Sequence, residues 1–283
     1  MESQAQKLRA LLNSGEHFIA ADAYSALTGR IVERVGFKAA YLGGHACSAF
    51  HYAMPDIGIF SQVEQIEQAA RIAAAIDIPL IADADTLGET VADAFHFTRR
   101  YARAGIAGIH VEDEVNPKHA SHVGSLLPVP EMQAKLEAAV KGRGDSGLVI
   151  IARCDELYAQ SRGGGGTSSL ETAIARGRAY IEAGADALVF PIASPDATAE
   201  LAKALPVPIV VLGLPIPGTA CTLHTGWGWL GAAQLHLSRA RQLLETGKVD
   251  MDPTLDGKNA LIEQDLYDEL ISDWAKKTGR PLR

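Results

Sequence analysis

The sequence predicts a (β/α)8 barrel of the TIM type, and three observations carry that expectation. Short apolar runs alternate with helical patterns along most of the 283 residues, as parallel strands covered by crossover helices do. Two phrases, Arg-Ala-Gly-Ile-Ala-Gly-Ile at 103–109 and Glu-Ala-Gly-Ala-Asp-Ala-Leu at 182–188, repeat one design: a helix ends, a glycine supplies a left-handed cap, and a buried strand begins. Two apolar runs pass straight into carboxylates, Ile-Ala-Asp-Ala-Asp-Thr at 81–86 and Ile-His-Val-Glu-Asp-Glu at 109–114. Barrel enzymes place their reactive groups at such C-terminal strand ends.

In chain order, residues 1–14 read as a polar helix. The strands fall at 17–21, 39–43, 80–83, 108–111, 148–152, 187–191 and 209–212, each a short apolar run. Between them, 25–35, 62–75, 90–104, 130–141, 170–183 and 197–204 carry apolar residues at three- and four-residue spacing, which makes one apolar helix face. After Gly213 the run Leu-Pro-Ile-Pro-Gly-Thr-Ala-Cys-Thr-Leu-His-Thr-Gly-Trp-Gly-Trp leaves room for only an abbreviated eighth strand before a helix at 230–245. The eighth unit is therefore expected to be irregular. Residues 162–169 hold four consecutive glycines and read as a loop after the fifth strand, a lid or a disordered insertion. One domain is expected over 1–283. Its helical tail at 246–283, amphipathic at 261–275, would pack on the barrel or on a neighbouring subunit.

Composition narrows the function. An apolar content of 47% is enough for one large core, and a formal charge of −8 argues against nucleic acid and anionic membranes as partners. A small molecule is the expected partner. Cys47, Cys154 and Cys221 have neither CxxC spacing nor an even count, so no disulfide framework or zinc site is indicated, and a reducing cytoplasm fits. No run approaches the ~18 apolar residues of a membrane span, and the N-terminus lacks a signal-peptide core.

Carboxylates at the ends of buried strands are costly unless a positive charge lies between them. Asp83 and Asp85 alternate, as do Glu112 and Glu114, so each pair points to opposite sides unless the strand has already turned. Hard oxygen donors suit Mg2+, with Mn2+ as the alternative ion, better than zinc. The competing structural reading makes these groups helix caps or salt-bridge partners of Arg153 and Lys118.

With those residues in place, the chain resembles the isocitrate lyase and phosphoenolpyruvate mutase superfamily from about residue 8 to residue 212. The resemblance rests on Ala-Asp-Ala-Tyr-Ser-Ala-Leu at 21–27, Tyr-Leu-Gly-Gly at 41–44, Pro-Asp-Ile-Gly at 55–58, the 81–86 phrase, Val-Glu-Asp at 111–113, Pro-Lys-His-Ala-Ser-His at 117–122 and Ile-Ile-Ala-Arg at 150–153. It implies a Mg2+-dependent enzyme acting on a 2-oxo or 2-hydroxy acid with further carboxylates, through a metal-stabilised enolate. By motif, Asp85 is the main metal ligand, with Asp83 and Glu112 holding the metal's waters. Asp56 lies near the metal and the reacting group, and Lys118 and His122 keep the family's catalytic-loop positions. Arg153 binds substrate oxygen, Gly43 and Gly44 offer amides to a carboxylate, Tyr41 is their neighbour, and Asp83 also belongs to the substrate site. A homo-oligomer, dimer or tetramer, built through C-terminal helices is implied too.

The chain departs from the pattern in the loop after the fourth strand. Lyase relatives carry a proton-donating cysteine there, and mutases an asparagine, where this chain has Ala120. His119 and Ser121 are new polar groups beside the gap, and a histidine has the pKa for acid and base work. Downstream, Phe190-Pro191 and Leu212-Gly213-Leu214-Pro215 replace polar residues that relatives use, so the distal part of the substrate is expected to be less polar. His45, Cys47, His51, His224, Trp227 and Trp229 are candidates to line it, although burial as a small apolar residue is the simpler reading of Cys47. The leading expectation is a carbon–carbon lyase on a substituted malate-like acid. The alternatives are an oxaloacetate-type decarboxylase or C–C hydrolase, a phosphoenolpyruvate or phosphonopyruvate mutase-like enzyme, and a catalytically silent ligand-binding barrel.

Overall fold

The computed structural model describes residues 2–119, 125–158, 166–191, 193–250 and 257–279. Eight parallel strands close into a barrel: β1 (Phe18–Asp22), β2 (Ala39–Leu42), β3 (Leu80–Asp83), β4 (Gly108–Glu112), β5 (Val149–Arg153), β6 (Ala187–Val189), β7 (Ile209–Leu212) and β8 (Cys221–His224). Helix α1 (Gln4–Leu12) precedes them. Then α2 (Ala26–Val35), α3 (Gln62–Ala73), α4 (Val91–Arg103), α5 (Val129–Arg143), α6 (Leu170–Glu182) and α7 (Pro195–Ala204) follow the first six strands, and α8 (Trp227–Thr246) follows β8.

The expected irregular closure is not what the chain does. β8 pairs with β1 from Phe18↔Cys221 to Ala21↔His224 and with β7 from Val210↔Cys221 to Leu212↔Leu223, so the ring is continuous. The missing piece is in the seventh unit, where the chain passes from β7 to β8 through residues 213–220 without a helix. The last barrel helix begins at Trp227 rather than residue 230, because Gly226 and Gly228 around the tryptophan look like a turn in the sequence. Gly226 does turn, at φ 92°, whereas Gly228 is already helical.

Local signals place the other elements. Ser25, Ser61 and Thr90 each cap a helix reciprocally with the residue three positions on. Gly105 and Gly184 take the left-handed conformation the repeated phrases predict, at φ 78° and 98°. Strand alternation then sorts side chains into two cores. One fills the barrel with Phe18, Ala20, Ala39, Tyr41, Ile81, Val149, Ile151, Ala187, Val189, Val210, Cys221 and Leu223. The other lies between strands and helices, and includes Leu42, Leu80, Ile109, Val111, Ile150 and Leu188. Leu8 and Leu12 of α1 belong to the interior core, and Leu8 lies against Gly108, where a Cβ would meet its Cδ2 at 2.6 Å.

The same period of two carries the interior face upward to Asp22, Asp83, Glu112 and Arg153, the last residues of β1, β3, β4 and β5. Ending β1 one residue later than expected brings Asp22 into this set.

The chain divides into two compact units, Met1–Ala233 and Gln234–Arg283. The second holds most of α8, the short α9 (Lys258–Leu261) and α10 (Gln264–Thr278), the last being the expected amphipathic stretch. On α10, Leu266, Leu270, Ile271 and Trp274 are exposed. Among the described residues, no helix is long and apolar enough to cross a membrane.

Candidate active site

At the end of β3 the backbone turns: Asp85 has φ 47°, in the left-handed region. The turn removes the alternation that would send Asp83 and Asp85 to opposite sides. The Asp85 amide instead donates to Asp83 Oδ1 at 2.9 Å, and both carboxylates face Gly44, where a Cβ would lie 2.7 Å from Asp85 Oδ1 and 3.0 Å from Asp83 Oδ2. Only glycine leaves that space open. The Gly44 amide is donated to Asp83 Oδ2 at 2.9 Å, and a Cβ on Gly43 would meet Thr225 Oγ1 at 3.1 Å. Thr225 therefore joins the site from the end of β8, a position the sequence did not single out.

Lys118 enters from the loop after β4. Its ammonium, fully buried, lies 2.6 Å from Asp85, 3.0 Å from Asp56 and 3.2 Å from Glu112. Asp56 comes from the loop between a π-helical turn (Ala46–His51) and α3, and the rings of Tyr52 and Phe60, 4.8 Å apart, pack across the ends of that loop. Arg153 pairs with Glu112 at 2.8 Å and with Asp155 at 2.8 Å. The salt-bridge reading of the carboxylates thus describes their contacts correctly: Lys118 and Arg153 hold them.

The charges do not balance locally. Asp56, Asp85 and Glu112 surround one ammonium with Asp83 close behind Asp85, while Arg153 also serves Asp155. Burial, with repulsion from Asp83, Glu112 and Asp56, pushes the Asp85 carboxyl up to about 7 against the pull of Lys118. Burial also opposes ionisation of Asp83, but His110, Lys118 and Arg153 outweigh it and hold Asp83 below the usual carboxylate range. Burial likewise disfavours the Lys118 ammonium, yet Asp85, Glu112, Asp83 and Asp56 raise its pKa well above the ordinary value.

Several site groups escape a reading by motif. His110 is buried inside the barrel, its Nε2 2.9 Å from the Tyr41 hydroxyl and its Nδ1 3.5 Å from Asp83. Its position two residues before Glu112 was the available signal. Asp155 receives Arg153 Nε and Nη2, and Asp113 accepts from the Tyr180 hydroxyl at 2.6 Å and the Asp155 amide at 2.9 Å. These bonds tie the tops of β4 and β5 to α6. His122 and Ala120 lie outside the described residues, as do 162–165 of the glycine loop. The described end of that loop is pinned, with the Ser168 amide donating to Glu156 O at 2.8 Å.

On the β1 and β8 side, Asp22 accepts the Trp229 amide at 3.4 Å, and the His45 and Trp229 rings are 4.9 Å apart. His224 and Trp227 are neighbours at 6.0 Å, whereas His51 turns away to bond Tyr24 O. Cys47, Cys154 and Cys221 are free and buried, and burial pushes the Cys47 thiol well up, as a packing role requires. Phe190 points into the outer core rather than the barrel mouth. Leu212 packs partly buried on the interior core.

Among the described residues, no three His, Cys, Asp or Glu side chains stand as a ready metal-ligand set, and the Lys118 ammonium lies against two of the three carboxylates that the motif assigns to one, Asp85 and Glu112. The donors nevertheless fit a hard dication: they are all oxygens, they carry excess negative charge, and Asp83 and Asp85 meet in a cradle that a Cβ would fill.

Known proteins share this build. The chain is 36% identical over 201 residues to 2,3-dimethylmalate lyase of Eubacterium barkeri, covering 70% of this chain and 66% of that enzyme, a little under two thirds of its length. A crystal structure of phosphonopyruvate hydrolase complexed with oxalate and Mg2+ superposes with a TM-score of 0.82 at 27% identity, covering 95% of this chain and 98% of the other. Oxaloacetate acetylhydrolase with the inhibitor 3,3-difluorooxalacetate gives 0.81 at 28% identity, covering 99% of each chain. The family model described as phosphoenolpyruvate phosphomutase matches residues 8–228, beyond residue 212 and through β8. By that match the chain belongs to the phosphoenolpyruvate phosphomutase family, within the isocitrate lyase and phosphoenolpyruvate mutase superfamily.

Proposed function

We propose that this chain is a Mg2+-dependent lyase that cleaves the C2–C3 bond of a substituted malate-like 2-hydroxy acid, releasing a pyruvate- or glyoxylate-type product. The observation that carries the reading is the convergence of Asp83, Asp85 and Glu112 with Gly44 and Arg153 at the C-terminal end of the barrel. Asp83, Asp85 and Glu112 would hold the cation, which when bound supplies positive charge to the substrate's 2-oxygen as negative charge develops there. Arg153, held rigid by Asp155, orients the substrate's carboxylate oxygens. Asp56, at the rim of the cluster, would take the hydroxyl proton. Partly buried Leu212, with Phe190 turned away, supports a distal group less polar than a carboxylate.

An oxaloacetate-type decarboxylase or C–C hydrolase is the second reading, supported by the full-length likeness to oxaloacetate acetylhydrolase. The loop's lack of Lys-Thr-Asn-Ser speaks against mutase chemistry. The exposed apolar residues of α10 support a homo-oligomer formed through the tail, and the three free thiols support a cytoplasmic location. The test is release of pyruvate, glyoxylate or carbon dioxide from a panel of hydroxy and oxo diacids, with Mg2+ and with chelator. Metal-dependent 2-oxo acid release from a substituted malate is expected. Ligand binding without turnover of any member would make the chain a silent barrel instead.

A further inference from the structure

Ala120 has no proton to give, yet cleavage leaves an electron pair on C3 that must be protonated before the product departs. Next to it, His119 is held in an unusual way. Its backbone lies in the left-handed region at φ 54°, which a histidine adopts only at a cost. That conformation sends the ring inward, leaving the side chain 23% exposed. Nδ1 lies 3.7 Å from Asp56 Oδ2, and Nε2 lies 3.4 Å from Glu114 Oε2. Arg153 Nη2 stands 3.4 Å from Nε2, and the Tyr158 ring packs at 5.8 Å. The other carboxylate oxygen of Asp56 touches Lys118, so the Nδ1 edge of the imidazole faces the charged cluster across a single carboxylate.

From this geometry we infer that His119 is the proton donor to C3, paired with Asp56 as the base, in place of the donor that Ala120 removes. The inference rests on the lyase reading above. As the C2–C3 bond breaks, Asp56 takes the 2-hydroxyl proton, the hydroxyl oxygen becomes the carbonyl of the 2-oxo product, and the bonding pair stays on C3. His119 gives its proton to C3, forming the new C–H bond. The proton on Asp56 then returns to the neutral imidazole across their contact, so the cycle closes with no external reactant. Burial opposes the imidazolium, as do Lys118 and Arg153, but the contact with Asp56 and the charge of Glu112 outweigh them and raise the histidine above its ordinary pKa. Glu114 has a part as well. Its Oε2 lies 3.4 Å from Nε2, the nitrogen that does not give the proton.

The test compares His119→Ala and His119→Gln with the wild-type chain on the substrate found in the panel, and measures Mn2+ affinity of each by electron paramagnetic resonance. The expected result is a fall in kcat of about a hundredfold or more, the scale of a lost general acid, with KM and Mn2+ affinity nearly unchanged and part of the rate restored to His119→Ala by added imidazole. Both variants keeping more than a third of the wild-type kcat would overturn the assignment and leave the lyase reading intact. So would a collapse of Mn2+ binding in both variants, which would make His119 a structural residue. Absence of cleavage by the wild-type chain would remove both.

Discussion

The Lys118 ammonium lies 2.6 Å from Oδ1 of Asp85, the carboxylate that the family motif assigns to the metal. A side chain from the loop after β4 thus supplies positive charge to the strand-end carboxylates. A dication held by Asp85 would compete with that ammonium for the same carboxylate oxygen. Replacing Lys118 with Met is expected to tighten Mn2+ binding about tenfold in the absence of substrate, because the competitor is gone, and to lower the metal-free melting temperature, because buried carboxylates lose their partner. Titration calorimetry and thermal denaturation check both halves, and weaker metal binding in the variant would show that the ammonium does not compete.

Asp85→Ala is expected to abolish metal-dependent turnover while the barrel still folds. The readout is activity with and without Mg2+, alongside circular dichroism. Activity equal to wild type would remove the cation from the site.

The metal-free protein is expected to lose stability as pH rises from about 4 to 7. Asp85 and Glu114 are both pushed up to about 7, chiefly by burial, and Asp22 to about 6 by burial against the amides of Trp229, Gly226 and Gly228. A carboxyl whose pKa is raised by folding binds more protons in the native than in the unfolded state, so its contribution is complete below the unfolded value and is lost as pH passes the folded one. Melting temperature in chelator should fall between about pH 4 and 7, and the rise produced by Mg2+ should be larger above that interval than below it. A chelated protein that becomes more stable across that interval would contradict the assignment.

Tyr180→Phe removes the hydroxyl that donates to Asp113 at 2.6 Å and leaves a buried carboxylate short of one donor. A loss of about 1–3 kcal/mol is expected, measured by urea denaturation, with Mn2+ affinity little changed because Asp113 faces α6 rather than the cluster. A large loss of metal affinity at unchanged stability would place Asp113 in the site instead.

Trp274→Glu places a charge among the exposed apolar residues of α10. Sedimentation is expected to show a smaller species than the wild-type chain. Equal sedimentation of the two would leave that face without a partner.

Much of the barrel is legible in the sequence because its signals are local. Glycine caps at 105 and 184, reciprocal caps at Ser25, Ser61 and Thr90, and strand periodicity each act within a few residues, so the first seven strands can be placed within one or two residues. The start of the helix after the eighth strand is harder to read because Gly226 and Gly228 resemble each other in sequence, while only the first is a turn. Strand alternation also predicts which side of the barrel Glu112 and Arg153 face. It cannot predict that Asp85 turns back toward Asp83, since that depends on a left-handed residue cradled by Gly44 from the neighbouring strand's end.

Sequence alone determined that a carboxylate cluster crowns β3 and β4, and that the usual proton donor of the following loop is absent at Ala120. Only the tertiary structure decided what answers those two facts. Lys118, Asp56 and His119 come from loops whose local sequence does not specify where their side chains point, and closure of the barrel is what brings them within ion-pair reach of the strand ends. Their charges then settle against one another: Lys118 between three carboxylates, and His119 between Asp56 and Glu114.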